Sequence, residues 1–250
     1  AFIVETENSA IISLPGVPAE LSVLLESEVI PYLRQRFHLT GVIKARILRT
    51  VGIGESSLDE KIADLELLSN PTVGLAAHPG RVDIRITAKG DDQKEVLEKI
   101  SEIEDIVRQR IGDAIFGTDE ETLEDVISDL LSQNSFKMIT IESGTDGLLS
   151  KSLKGACDQC VAVELLSDTP NIEELEKLLQ RATQEHGVDV GIGIIVHNAR
   201  DHTKIDLAVL LQDRFSVHSR TYGGAPKNAP YWATSQVLAN LRRLLISERS

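Results

Sequence analysis

Apolar and polar residues alternate in short runs at the start of the chain. The segments AFIVE and SAIISL have strand-like patterns and flank a polar turn. The run LPGVPAEL then breaks this pattern with proline and glycine. From Leu21 to Leu33 the apolar residues recur at helical spacing, so we predict a helix that ends in the basic run RQRF.

The spacing changes again over residues 39–112 and predicts a small α+β domain in the order βαββα. In chain order its segments are the strand VIKARILRTVG, the helix GESSLDEKIADLELL, two strands in TVGLAAHPGRVDIRITAKG, and a long helix whose apolar positions run from Val96 to Ile111. Ser56 or Ser57 is predicted to cap the first helix, and a His-Pro-Gly turn at 78–80 joins the two strands. Gly112 is predicted to end the long helix.

Residues 113–250 alternate between strand and helix patterns, which predicts a layered α/β domain. Thr118 and Glu121 have the spacing of a capping box, from which the helix TLEDVISDLLSQ is predicted to begin. The later elements are the strand KMITIE, the helix GLLSKSL, the strand VAVELL, a helix capped by Asn171 and ended near Gly187, the strands DVGIGIIV, IDLAVLL and SVHSRTY, and the final helix APYWATSQVLANLRRLLI.

The composition is that of a globular protein that can bury a core. Of the 250 residues, 42% are hydrophobic and 26% are charged, and no apolar run approaches the ~18 residues of a membrane span. The start of the chain lacks the layout of a signal peptide, and two cysteines are too few for a disulfide framework. We therefore expect a cytoplasmic protein with no membrane partner. The formal charge of -13 repels phosphate backbones, so we also expect no nucleic-acid partner.

The turn ESGTDG at 142–147 is the strongest candidate for a ligand site. It follows an apolar strand and precedes a helix, which places it at the carboxyl edge of an open α/β sheet, where ligands bind. The helix start offers N–H groups to a small anion. We predict that Ser143 faces the pocket, and an ordinary glycine-containing turn is the alternative. The predicted ligand-binding residues are Glu142, Ser143, Gly144, Thr145, Asp146 and Gly147.

A catalytic serine needs a base within reach. The candidates nearest in sequence are two lysines of the following helix, Lys151 and Lys154. His197 follows the strand GIGIIV, so in a parallel sheet it would reach the same edge as Ser143, with Asp201 or His202 behind it. Ser143 and His197 are therefore the candidate catalytic residues. The alternative is that HNARDH is a polar surface turn.

Metal and redox chemistry have little support in the sequence. Cys157 and Cys160 have the C-x-x-C spacing of redox or zinc sites, but no second cysteine pair completes a structural zinc site. The two histidines His197 and His202 are five residues apart with one acid between them, which is a weak ligand pattern. We predict no metal and no cofactor, and we interpret the cysteines as buried or idle thiols.

Several segments, in order, resemble successive landmarks of the CinA family of competence/damage-inducible proteins. They are LPGVPAEL at 14–21, TVGIGESSLDEKI at 50–62, NPTVGLAAHPGRVDIRITAKG at 70–90, IESGTDGLL at 141–149 and, more weakly, RTYGGAPKNAPYWATSQVLANLRRLL. The resemblance implies that residues 1–38 are the end of a molybdopterin-cofactor-binding-like domain. It implies a KH-like α+β domain over 39–112 and a nicotinamide mononucleotide deamidase-like layered α/β domain over 113–250. It also implies a homodimer and a small nucleotide ligand.

The last domain departs from the family pattern at the residues that carry its chemistry. The family's ESCTGG is ESGTDG here, so Gly144 replaces a cysteine and Asp146 replaces a glycine, while Ser143 would be the catalytic serine. A Thr-Tyr-Ser-Asn motif with a nearby lysine is replaced by LKGACDQCVAVELLSDTPN, and a GIAGP-type loop by VHNARDHTK. The KH-like domain lacks the Gly-x-x-Gly loop with which RNA-binding members clamp nucleotides.

Three hypotheses about function follow from the resemblance and the departures. The first is a non-catalytic CinA-like protein with a degenerate deamidase site, which acts by nucleotide binding or assembly. The second is an active nicotinamide mononucleotide amidohydrolase that uses Ser143. The third is part of an ADP-ribose pyrophosphatase, most of whose catalytic domain would lie outside this sequence. We expect the first.

Overall fold

The computed structural model describes residues 1–39, 41–199 and 201–248. Arg200, within the segment VHNARDHTK, lies outside the described residues. The chain divides into two units, one formed by residues 1–44 and 89–98 and the other by residues 45–88 and 99–250. In the described ranges, no helix has both the length and the apolar character that a bilayer crossing requires.

The first unit contains the predicted N-terminal strands and the helix that follows them. The strands β1 (Phe2–Glu5) and β2 (Ala10–Ser13) form an antiparallel hairpin. The helix runs as α1 (Pro18–Leu24), one π-helical turn (Leu25–Val29) and α2 (Ile30–Phe37). Tyr32 donates a hydrogen bond to the Glu5 carboxylate, with 2.6 Å between the oxygens, and this bond raises the pKa of Tyr32. Arg36 donates to two carbonyls of the hairpin turn, so both side chains fasten the hairpin to α2.

The βαββα order predicted for the middle of the chain is confirmed, with one added strand. The elements are β3 (Val42–Val51), α3 (Glu55–Glu66), β4 (Thr72–His78), β5 (Arg81–Gly90), α4 (Gln93–Ile111) and β6 (Ile115–Thr118). The sheet order is β4-β5-β3-β6, in which β6 is antiparallel to β3. The cap predicted at Ser56 or Ser57 is wrong. The helix starts at Glu55, after Gly54, so both serines lie inside its first turn.

The capping box predicted at Thr118 is displaced by one helical turn. The Glu121 carboxylate does accept from the backbone N–H of Thr118, at 2.6 Å. However, helix α5 (Leu123–Asn134) begins after Thr122, whose hydroxyl accepts from the N–H of Asp125. The sequence holds two consecutive Thr-x-x-acid patterns, and the second one begins the helix because the first lies in the turn after β6.

The layered α/β arrangement predicted for the last part of the chain is confirmed. Its strands are β7 (Met138–Ser143), β8 (Cys160–Leu165), β9 (Val190–Asn198), β10 (Thr203–Leu211) and β11 (Arg214–Tyr222). The sheet order is β11-β10-β9-β7-β8. β7 is parallel to β8 and β9, whereas β10 is antiparallel to both β9 and β11.

Helices cover both faces of this sheet. They are α6 (Leu148–Leu153), α7 (Ile172–His186) and α8 (Ala229–Ser247). Apolar residues of α5, α6 and α8 pack in one core with Ile192 and Ile194 of β9. On the opposite face, α7 packs with Ile139 and Ile141 of β7. The central strands thus present apolar side chains to both faces of the sheet, and each face forms a core with the helices that cover it. This is why the domain is layered.

The start of α7 follows from the cap that the sequence predicts at Asn171, which the structure shows to be a capping box. The side chain of Asn171 accepts from the N–H of Glu174, and the Glu174 carboxylate accepts from the N–H of Asn171, both at 3.0 Å. We expect Asn171→Ala to lower the free energy of unfolding by about 1 kcal/mol, since one helix N–H loses its acceptor. Urea unfolding followed by circular dichroism measures this loss. Glu173→Ala in the same turn is the control, and an equal loss in both variants would contradict the capping role.

The loop between β4 and β5 packs on α8 inside the second unit. Arg81 donates through Nε to the Ser235 hydroxyl at 3.1 Å and forms an ion pair with Glu124 at 3.0 Å. The Ser235 hydroxyl in turn donates to the carbonyl of Pro79, and the Gln236 amide donates to the carbonyl of Gly80. These polar contacts fix the His-Pro-Gly turn against the helix and place it beside the end of β11.

Candidate functional site

The predicted serine lies at the carboxyl edge of the sheet, as the strand pattern indicates. Ser143 is the last residue of β7 and pairs in register with Ile195 of β9. The turn Gly144–Gly147 follows and leads directly into α6. The site is therefore built from a strand end and a helix start, the position at which open α/β sheets place ligands.

The N-terminal end of α6 is already occupied by a side chain of the protein itself. Glu142 is 1% exposed. Its carboxylate accepts from the backbone N–H groups of Leu149 and Ser150 at 3.0 and 2.8 Å, and from the hydroxyls of Thr145 and Ser150. The helix N–H groups that an anionic ligand would need are thus bonded to a buried carboxylate. We expect Glu142 to hold the turn in shape.

The hydroxyl of Ser143 is directed to a backbone carbonyl. Ser143 is 3% exposed, and its Oγ donates to the carbonyl oxygen of Asp168 at 2.6 Å. Over the residues described, no histidine, lysine or carboxylate side chain forms a hydrogen bond with Ser143. A serine becomes a nucleophile when a base accepts its proton, and a peptide carbonyl cannot take that proton.

The candidate bases have other partners or none. Nζ of Lys151 donates to the carbonyl of Asp146 at 2.6 Å, which holds the turn from outside. Lys154 is exposed. His197, near the end of β9, is exposed, and its Nδ1 lies 3.3 Å from the hydroxyl of Thr169. His197 therefore contacts Thr169, the neighbour of Asp168, which accepts the hydrogen bond from Ser143. The side chains of His197 and Ser143 form no hydrogen bond with each other.

The acids and histidine expected behind His197 also lie apart from the serine. His202 Nδ1 is 3.3 Å from the carboxylate of its neighbour Asp201, and both side chains are largely exposed. In the parts of the chain that are described, neither residue has a hydrogen bond to Ser143 or His197. The sequence-based Ser/His/Asp arrangement is therefore not assembled in this conformation.

The glycine that replaces the family's cysteine lies directly under β9. Gly144 has φ +69°, and a Cβ at this position would overlap the carbonyl oxygen of Val196. Asp146 and Gly147 also have positive φ, at 53° and 70°. The turn is thus compact and close to the neighbouring strand, and the absence of a side chain at 144 permits this approach.

The two cysteines are free thiols in a poor environment for redox or metal chemistry. Cys157 is 6% exposed. Burial raises the pKa of Cys157, and it raises the pKa of Cys160 to about 11. Because the thiolate is the metal ligand and the nucleophile, both roles are disfavoured near neutral pH. Within the described ranges, no group of three or more His, Cys, Asp or Glu side chains is arranged to hold a metal ion.

A second cleft lies away from the serine, and sequence reasoning did not predict it. Its volume is about 430 Å³, and it is lined by residues 52–55, 77, 78, 80–82 and 220–223 together with Trp232 and Gln236. The cleft forms where the β4–β5 turn meets α8 and the end of β11. The glycines of GIGES, AHPGR and TYGG were the available signal, but nothing in the sequence brings these segments together.

Comparison with known proteins identifies relatives for much of the chain. The family described as the damage-inducible protein CinA KH domain matches residues 45–117. A protein of Thermoanaerobacter pseudethanolicus, named as competence-damage inducible, is 44% identical over 151 residues, which are 60% of this chain and 36% of that protein. A similarly named protein of Caldanaerobacter subterraneus is 39% identical over 178 residues, or 71% of this chain and 42% of that protein. The chain thus spans about two fifths of the length of these curated relatives.

Solved structures with related names have low sequence identity to this chain. The crystal structure of a competence or damage-inducible protein from Enterobacter asburiae is 13% identical, with a TM-score of 0.45. The match covers 50% of this chain and 99% of that one. A CinA superfamily protein from Escherichia coli is 19% identical, with a TM-score of 0.41, and covers 54% of this chain and 98% of its own.

Proposed function

We propose that the chain, whose residues 45–117 match the family described as the damage-inducible protein CinA KH domain, is a non-catalytic member of the CinA family of competence/damage-inducible proteins. In this proposal it acts by binding a small nucleotide ligand or by assembly, and its deamidase-like site is degenerate. The curated relatives are matched over about two fifths of their length, so the activity of a whole relative is not transferred to this chain.

The observation that carries the proposal is the partner of the Ser143 hydroxyl. Ser143 donates to the carbonyl of Asp168 and is buried, so its proton has no basic acceptor in this arrangement. Catalysis would require the Asp168 carbonyl to be released and a base to move to the serine. General-base catalysis needs hydrogen-bond reach between nucleophile and base, and no described side chain meets this condition.

A second observation supports the loss of a ligand position at the turn. Glu142 accepts two N–H groups from the start of α6, and Gly144 lies against the backbone of β9. Asp146 adds a negative charge to the same turn. A phosphate in this turn would be repelled by the negative charges of Glu142 and Asp146 and would find fewer unpaired N–H donors. Both effects oppose binding.

The alternative function is amide hydrolysis with Ser143 and a substitute base. One observation favours it: His197 contacts Thr169, the residue after the partner of Ser143, so a rearranged loop would bring the two side chains closer. The arrangement would then be a serine and a histidine at one sheet edge, which is a hydrolase pattern. The non-catalytic proposal and this alternative predict opposite results in one assay.

We expect no serine-dependent release of ammonia from nicotinamide mononucleotide. The assay compares the wild-type chain with Ser143→Ala and His197→Ala at equal concentration. We expect the ammonia released by all three to equal that of buffer alone. The physical reason is the missing proton acceptor at Ser143. Ammonia release by the wild type that is lost in Ser143→Ala would overturn the proposal and establish the amidohydrolase alternative.

Two further measurements on the same samples separate binding from assembly. Thermal unfolding with and without nicotinamide mononucleotide reports ligand binding, because a ligand that binds only the folded state stabilises it. Light scattering reports the mass in solution, for which the assembly version of the proposal expects a dimer. If the chain is strictly monomeric, the assembly version is wrong and only the ligand-binding version of the proposal remains.

A further inference from the structure

The cleft between the β4–β5 turn and the end of β11 has the features of a binding site for a small anion. Three backbone segments and α8 form its walls around about 430 Å³, which lies within the ~300 to 1,000 Å³ of small-molecule sites. It contains neither Ser143 nor any other residue of the ESGTDG turn. An inference about it therefore does not depend on whether that turn has any function.

Arg220 is the cationic group that distinguishes this cleft. Its guanidinium lies over the ring of Trp232, with 4.8 Å between the guanidinium carbon and the ring centroid. Tyr222 contacts the same indole, with ring centroids 5.7 Å apart. A guanidinium held on an aromatic face keeps its N–H donors, which point outward in its own plane, free for a carboxylate or a phosphate.

No carboxylate neutralises Arg220 in the described part of the chain, and no side chain there accepts a hydrogen bond from it. This is unusual in a chain with a formal charge of -13, in which acidic groups outnumber basic ones by 39 to 26. Glu55 is the one acidic residue on the cleft wall. The second arginine of the cleft, Arg81, is already paired with Glu124. The positive charge of Arg220 is thus available to a ligand.

The remaining walls supply a second polar group and an apolar surface. His78 is 55% exposed at its side chain, and its Nε2 is held by the Asp83 carboxylate at 3.1 Å, which leaves Nδ1 without a partner among the described residues. Ile53, Ala77 and Val82 form apolar parts of the wall. A ligand that fits this surface carries an anionic group at one end and an uncharged organic part at the other.

We propose that this cleft binds a small phosphorylated organic molecule, whose phosphate accepts a bidentate pair of hydrogen bonds from Arg220. The organic part lies along the wall of Ile53 and Val82. A phosphate ester satisfies the guanidinium fork better than a single-point anion does, because two of its oxygens match two parallel N–H donors. A nucleotide is one such molecule, so the cleft would also serve the function proposed above, and this role holds whether or not Ser143 is catalytic.

The experiment uses the fluorescence of Trp232, which is the only tryptophan of the chain. Phenyl phosphate and inorganic phosphate are titrated into the full chain at constant ionic strength, and calorimetry is run in parallel. We expect a saturable change in emission with phenyl phosphate and weaker binding of inorganic phosphate. We expect Arg220→Gln to raise the Kd of phenyl phosphate by about tenfold or more, because a charge-assisted pair is lost.

The controls separate the site from nonspecific attraction. Arg214→Gln removes an exposed arginine from the other end of the same strand and is expected to leave the Kd unchanged. Thermal unfolding of both variants checks that the fold is retained. The absence of saturable binding by fluorescence and calorimetry would overturn the proposal, and so would equal Kd values for wild type and Arg220→Gln.

Discussion

Gly144→Ala is expected to lower the free energy of unfolding by about 3 kcal/mol. Alanine in the left-handed region costs about 1 kcal/mol, and φ at this position is +69°. The added Cβ would also overlap the carbonyl oxygen of Val196, so the turn would have to move away from β9. Such displacement in a packed region is among the mechanisms that give large losses of stability. Urea unfolding measures the change.

Gly155→Ala is the matched control for this prediction. Gly155 has φ +87°, but no heavy atom lies within 4 Å of the position its Cβ would take. It therefore carries the cost of the backbone conformation without the overlap, and we expect a loss of about 1 kcal/mol. Equal losses in the two variants would show that the contact with Val196 does not matter.

The same prediction bears on the difference between this turn and the pattern ESCTGG that the resemblance implies. A cysteine at position 144 has the Cβ that alanine has, so the compact turn seen here excludes it unless the turn moves away from β9. If Gly144→Ala is strongly destabilised, the replacement of the family's cysteine is coupled to the closed shape of the site. The absence of a side chain at position 144 would then be the cause of the smaller space for a ligand at this turn.

The second large effect is expected for Glu142→Gln, with a loss of about 3 kcal/mol. The carboxylate is 1% exposed and accepts from two backbone N–H groups and two hydroxyls. The glutamine amide has the same shape as the carboxylate, but its NH₂ group is a donor and replaces one of the two accepting oxygens. The buried N–H or hydroxyl groups that donate to that oxygen are then left without an acceptor. Hydrogen bonds to a charged group contribute about 1.5 to 3 kcal/mol each. Chemical unfolding measures the loss, and hydrogen exchange at Leu149 and Ser150 locates it.

Glu164→Gln provides the comparison for Glu142→Gln. Glu164 lies on the neighbouring strand β8 and is only partly buried, and its side chain has no hydrogen bond or ion pair with another described residue. We expect a change within about 0.5 kcal/mol, as for most surface positions. If Glu142→Gln is as mild as Glu164→Gln, the carboxylate does not hold the start of α6, and the N–H groups there would be free for a ligand.

Most elements of this fold could be predicted because their causes are local. The capping box at Asn171 and the left-handed Gly187 fix both ends of α7 within the helix itself. By contrast, β6 was missed, since a four-residue segment shows its strand character only when it pairs with β3. The cap of α5 was misplaced because Thr118 and Thr122 both fit the local pattern, although the helix TLEDVISDLLSQ itself was predicted within one residue of its observed bounds. Only the position of the preceding strand decides between the two threonines.

The candidate site divides in the same way. The sequence by itself determined that Ser143 ends a buried strand and meets a helix start, since strand period and turn residues are properties of neighbouring positions. Only the tertiary structure decided that its hydroxyl meets Asp168, that Glu142 fills the helix start, and that Arg220 lies on Trp232 beside the β4–β5 turn. The partners in these contacts are selected by packing, which no local pattern of residues encodes.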